Sequence, residues 1–94
     1  MKLLAAAAVA SIAMFAWGTA GAQQALAQSS GCLNCHAADT KKVGPSFKDI
    51  AAKYKGNADA EAKLVGEISG AKGHPAVKAS ADDVKALVKW ILAM

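Results

Sequence analysis

The stretch Cys32-Leu33-Asn34-Cys35-His36 constrains this chain more than any other. Two thiols stand two residues apart, and an imidazole follows the second directly. A close cysteine pair serves as a redox disulfide, part of a zinc site, a structural staple, or a covalent anchor for a cofactor. Each use demands different surroundings, so the rest of the chain decides between them.

The first 22 residues, MKLLAAAAVASIAMFAWGTAGA, hold one charge, Lys2, ahead of an apolar run from Leu3 to Trp17. Small residues follow at Ala20-Gly21-Ala22. A charged start, an apolar middle and a small-x-small end have the order of a secretory signal peptide. The run is short for a membrane span, which needs about 20 apolar residues. A second small-x-small site ends at Ala27, but cleavage there leaves too little chain ahead of Cys32 for a helix. The expected organisation is a cleaved leader at 1–22 and one domain at 23–94, with no stable membrane anchor. Export places the chain in an oxidising, periplasmic setting, where an unmodified thiol pair tends to form a disulfide.

A chain this small struggles to stabilise itself with a side-chain core alone and usually needs a staple, a metal or a cofactor. Beyond the leader its aromatics are Phe47, Tyr54 and Trp90. The pattern is all-α. A first helix is expected over about Gln24–Ala37, carrying the cysteine motif near its end. Gly44-Pro45 interrupts the pattern. Ser46 and Asp49 form a capping-box signal for a second helix, FKDIAAKY. Asn57 is placed to cap a third, ADAEAKLVGEIS, which Gly70 stops. Ser80 and Asp83 repeat the capping signal for a fourth, ADDVKALVKWILA. There Val84, Leu87, Val88 and Ile91 fall at i, i+3, i+4 and i+7, the spacing of a buried stripe.

This context sorts the cysteine chemistries. A thioredoxin-like site wants a strand and an α/β pattern around it. A structural zinc site wants four ligands, and Cys35 and His36 are adjacent while His74 is distant. A disulfide across a two-residue gap removes little loop entropy. C-x-x-C-H is the attachment signature of c-type haem: two thiols a turn apart each form a thioether to one vinyl group, and the next residue offers its imidazole to the iron. Cys32 and Cys35 are thus the expected anchors of one covalent haem c, and His36 its proximal ligand.

The segments CLNCHAADTKKVGPSFKDIAAKY and SADDVKALVKWIL resemble the small bacterial class I cytochromes c of the c-551 type. The resemblance covers most of the domain. It implies four or so helices wrapped around one haem, and a hydrogen bond from His36 to the carbonyl of Pro45. It also implies a last helix crossing the first, with Trp90 and Leu87 against Leu26 and the haem. In that family the second axial ligand is usually a methionine, in a Met-Pro pair before the last helix. This loop has no methionine. Aligned on Lys89-Trp90, the family's Met-Pro falls on His74-Pro75. His74 is therefore the expected second axial ligand and iron site, with His36; Lys72, Lys78, Met94 and an open position are the alternatives. Pro75 restricts the backbone of His74 to extended conformations. Exchanging thioether for imidazole is expected to lower the potential, since methionine raises it.

The formal net charge is +4 and every basic side chain is a lysine. Lys41, Lys42, Lys48, Lys53 and Lys55 crowd the segment behind the cysteine motif. They suit either solubility or a basic rim that steers acidic redox partners. Without arginine and with few aromatics, nucleic-acid binding is not expected. The expected function is single-electron carriage between partner proteins by a monomer or weak dimer, not enzymatic catalysis. Two other readings stand beside it: a haem protein that binds or senses a small gas, and the electron-entry subunit of a larger redox enzyme.

Overall fold

The structure, a computed structural model, describes the backbone of residues 18–94 and side-chain environments from residue 21 onward. Most of the expected leader lies outside the described residues. In chain order come α1 (Gly18–Ser29), a single 3-10 turn (Cys32–Asn34), α2 (Phe47–Lys53), α3 (Ala60–Ser69) and α4 (Ala81–Leu92). No strand occurs among the described residues, as the all-α reading requires.

Helix α4 is the hub, packing against α1, α2 and α3. Its buried residues are Val84, Leu87, Val88 and Ile91, the stripe that the helical spacing marks. Each such side chain contributes about 1.5–3 kcal/mol when fully buried. Ser80 caps the helix, its Oγ accepting from the Asp83 N–H at 3.1 Å. Asp82 and Asp83 in the first turn and Lys89 in the last complement the helix dipole. Ser46 caps α2 in the same way, accepting from the Asp49 N–H at 3.1 Å. Both caps are half of a capping box. Neither aspartate returns a hydrogen bond among the described residues; its side chain is one methylene shorter than the glutamate that usually does so.

Helix α1 departs from expectation. Over the described residues it spans Gly18–Ser29, so it runs through the anticipated cleavage position and ends at Ser29 rather than near Ala37. Gly31 stops it with a left-handed φ of 86°. The cysteine motif therefore sits in a turn of its own, closed by Cys35 N–H and His36 N–H donating to the Cys32 carbonyl at 3.2 and 2.9 Å. Helix α3 starts two residues late. Asn57 Oδ1 accepts from the Asp59 N–H at 3.0 Å, making a turn ahead of the helix instead of its cap, and Asp59 takes the cap position.

The end of α3 is a Schellman motif. Gly70 is the C-cap, with ordinary negative φ. Lys72 N–H donates to the Glu67 carbonyl at 2.9 Å and Ala71 N–H to the Ile68 carbonyl at 3.4 Å. The left-handed position falls on Ala71, at φ 50°. A Cβ there is strained by about 1–2 kcal/mol. Part of that is offset by the entropy a glycine would add to the unfolded chain. Ala71→Gly is expected to stabilise the protein by about 0.5–1 kcal/mol in urea unfolding. Ser80→Ala, which removes the α4 cap, is expected to destabilise it by about 1 kcal/mol in the same assay.

Candidate functional site

Helices α2, α3 and α4 and the segment between α3 and α4 enclose a cavity of about 350 Å³. That falls in the size range of small-molecule and cofactor pockets. Its walls are mainly apolar: Ile50 from α2, Leu64 and Ile68 from α3, and the α4 stripe opposite. The cysteine turn closes one side through Cys32 and His36; His74 and Val77 close another. The stripe that holds the helices together is thus also the floor of the cavity.

His36 is held from three directions. Its Nδ1 lies 2.6 Å from the Pro45 carbonyl oxygen. A carbonyl only accepts, so Nδ1 carries a proton, and in the neutral ring the lone pair is on Nε2. The ring stacks on Phe47, centroids 5.4 Å apart and planes 21° from parallel. Phe47 is buried, and meets Trp90 of α4 edge-on at 5.7 Å. On the third side runs the backbone of Gly44. A Cβ there would lie 2.5 Å from the nearest imidazole carbon, so only glycine fits. The loop is drawn in by Gly44 N–H donating to the Cys35 carbonyl at 2.7 Å and Phe47 N–H to the Ala37 carbonyl at 2.9 Å. Lys42 adds a hydrogen bond from its Nζ to the Leu33 carbonyl at 3.0 Å.

His74 enters from the segment between α3 and α4. Its Nδ1 lies 2.7 Å from the carbonyl oxygen of its neighbour Pro75, which fixes the same tautomer. The two imidazoles, remote in sequence, are 6.2 Å apart at their centroids with planes 3° from parallel. Cys32 and Cys35 are both half-buried, and no disulfide joins them. Burial pushes the Cys32 thiol above its ordinary value, which favours the protonated form.

The structure thus brings Cys32, His36, Pro45 and His74 to one cavity. Cys35 stands beside them, one residue before His36. Trp90 departs from expectation: it does not line the cavity, but reaches the site through Phe47, while Leu87 lines it directly. Phe47 and Gly44 escaped the sequence reading. Both adjoin the Pro45–Ser46 pair, and their roles depend on where His36 comes to rest. Met94, at the chain end, is exposed and absent from the cavity wall. Of the lysine cluster, Lys48 is paired with Asp39 at 2.6 Å and Lys53 lies over the Tyr54 ring at 5.3 Å. The cluster is therefore less free than its sequence suggests.

The family model for cytochrome c matches residues 19–94. This chain is a class I c-type cytochrome. It is 44% identical over 77 residues to cytochrome c-551 of Allochromatium vinosum, covering 73% of this chain and 82% of that one. It is 41% identical over 95 residues to cytochrome c-551 of Pseudomonas aeruginosa, covering 86% and 91%. Among solved structures, wild-type cytochrome c552 of Nitrosomonas europaea superposes with a TM-score of 0.66 at 42% identity, over 74% of this chain and 96% of that one. The chain accordingly carries one covalently attached haem c, and electron transfer is the chemistry of its family. The residues present fit that group: a mainly apolar cavity, one thiol in its wall and a second three residues on, and an imidazole oriented by a hydrogen bond at Nδ1.

Gly44→Ala is expected to push the His36 ring off its Pro45 acceptor and cost about 1–3 kcal/mol by overpacking. Chemical unfolding measures the loss, and an unchanged midpoint would remove Gly44 from the account.

Proposed function

We propose that this cytochrome is an exported, periplasmic carrier of single electrons whose haem is anchored by Cys32 and Cys35 and held axially by His36 and His74. Residues 1–22 are its leader and 23–94 the working domain. When bound, the haem supplies a one-electron Fe(II)/Fe(III) couple. The chain's part is to orient both imidazoles through their Nδ1 atoms, line the haem cavity with the apolar α4 stripe, and present a partner surface.

The geometry of the two imidazoles carries this reading. A metal–imidazole bond is about 2.0–2.1 Å and a ring nitrogen lies about 1.1 Å from its ring centre, so two imidazoles on opposite sides of one ion have centres roughly 6.2–6.4 Å apart. The observed separation is 6.2 Å, with parallel planes. Both Nδ1 atoms are committed to proline carbonyls, leaving each ring its Nε2 as donor. Hydrogen bonding at the far nitrogen orients a ligating histidine and raises its basicity. Lys72 and Lys78 lie exposed and outside the cavity wall, which favours His74 over them.

The partner surface follows from charge. Lys41 and Lys42 directly precede Val43, which is 82% exposed, on the loop that carries the Pro45 acceptor. An apolar contact rimmed by lysines suits an acidic redox partner, whose approach is steered by charge. A second reading has one observation in its favour. Among the described residues, positions 73–79 make no backbone–backbone hydrogen bond. His74 could then yield its place to a small gas, and rapid binding of carbon monoxide by the reduced protein would bring that reading forward.

The test is the visible spectrum of the ferric protein with its equilibrium reduction potential. Wild type is expected to be low-spin without the weak red band of a methionine–iron bond. Its potential should lie below that of His/Met relatives, since a methionine ligand raises it. His74→Ala should become high-spin. A methionine band in the wild type, or a low-spin spectrum in the variant, would refute the assignment of His74.

A further inference from the structure

We propose that the carboxylate of Glu67 sets the reduction potential of the haem site, favouring the oxidised state by its charge. This rests on the haem occupying the cavity between His36 and His74.

In a chain of net charge +4, the cavity wall has the opposite balance. Its charged members are Asp49 and Lys53 from α2 and Glu67 from α3. Every wall residue from α4 is apolar. Asp49 is exposed, whereas Glu67 is half-buried.

Among the described residues no lysine ammonium is paired with Glu67. Lys53 and Lys63 hold their Nζ atoms over the Tyr54 ring, at 5.3 and 5.8 Å from its centroid. Lys72 meets Glu67 through the backbone, its N–H on the Glu67 carbonyl. Among the described residues the carboxylate makes neither an ion pair nor a hydrogen bond; the ion pairs are Lys48–Asp39 and Lys89–Glu61. An uncompensated carboxylate beside an apolar cavity is only partly screened by water. The oxidised site carries one more positive charge than the reduced one, so a fixed negative charge stabilises it and lowers the potential. This lever is separate from the choice of axial ligand.

Equilibrium redox titration of the holoprotein tests the inference, with the visible spectrum recorded in parallel. Glu67→Gln keeps the shape and removes the charge. Glu67→Asp keeps the charge. Asp82→Asn removes an exposed charge in the first turn of α4, away from the cavity. Glu67→Gln is expected to raise the potential by a three- to tenfold change in the redox equilibrium constant, where tenfold is about 59 mV for one electron. Its spectrum should match wild type, Glu67→Asp should stay near the wild-type potential, and Asp82→Asn should shift it far less. An unmoved potential in Glu67→Gln, an equal shift in Asp82→Asn, or equal shifts in Glu67→Asp and Glu67→Gln would overturn the inference. The spectrum of His74→Ala judges the axial ligand independently, so the two readings fail separately.

Discussion

The hydrogen bond from His36 Nδ1 to the Pro45 carbonyl, 2.6 Å long, is the contact on which the site depends. It chooses the tautomer, and so decides which ring nitrogen is free. It also ties the cysteine turn to the loop that leads into α2. Around it the structure is closely fitted: Gly44 has no room for a methyl group, and Phe47 covers one ring face. Phe47 in turn rests edge-on against Trp90. The orientation of one imidazole is thereby linked to the helix that organises the whole domain.

That helix does two things with one set of residues. The α4 stripe is buried against the other helices and also lines the cavity. A small chain with few aromatics has a modest side-chain core, and a group held against this stripe adds apolar contact to it. The apolar surroundings of the cavity strengthen the electrostatic effect of a charge on its border. Function and stability are therefore not separable at these positions.

The segment bearing His74 is built on a different principle. It is anchored at one end by the Schellman motif of α3, with Ala71 in the left-handed position, and at the other by the Ser80 cap of α4. Between the anchors the backbone is not tied to itself. The side chain of His74, oriented through the Pro75 carbonyl, makes the contact with the cavity. One imidazole is thus held by a dense local network and the other by a short strap pinned at both ends.

Several of these features were legible in the chain itself. The C-x-x-C-H spacing identifies the attachment chemistry because it depends on residues adjacent in sequence. The α4 stripe and the serine caps of α2 and α4 are local as well, fixed by helical periodicity and by side chains reaching N–H groups three residues on. Local signals failed where the backbone turned on a single dihedral: Gly31 ended α1 before the motif, and Ala71 took a conformation usually left to glycine. What tertiary structure alone decided was which distant groups meet. The parallel approach of His36 and His74, the need for Gly44 and the placement of Trp90 on Phe47 all join residues that are not neighbours in the chain. Their positions follow from how the helices pack on α4, and no short-range pattern encodes that distance.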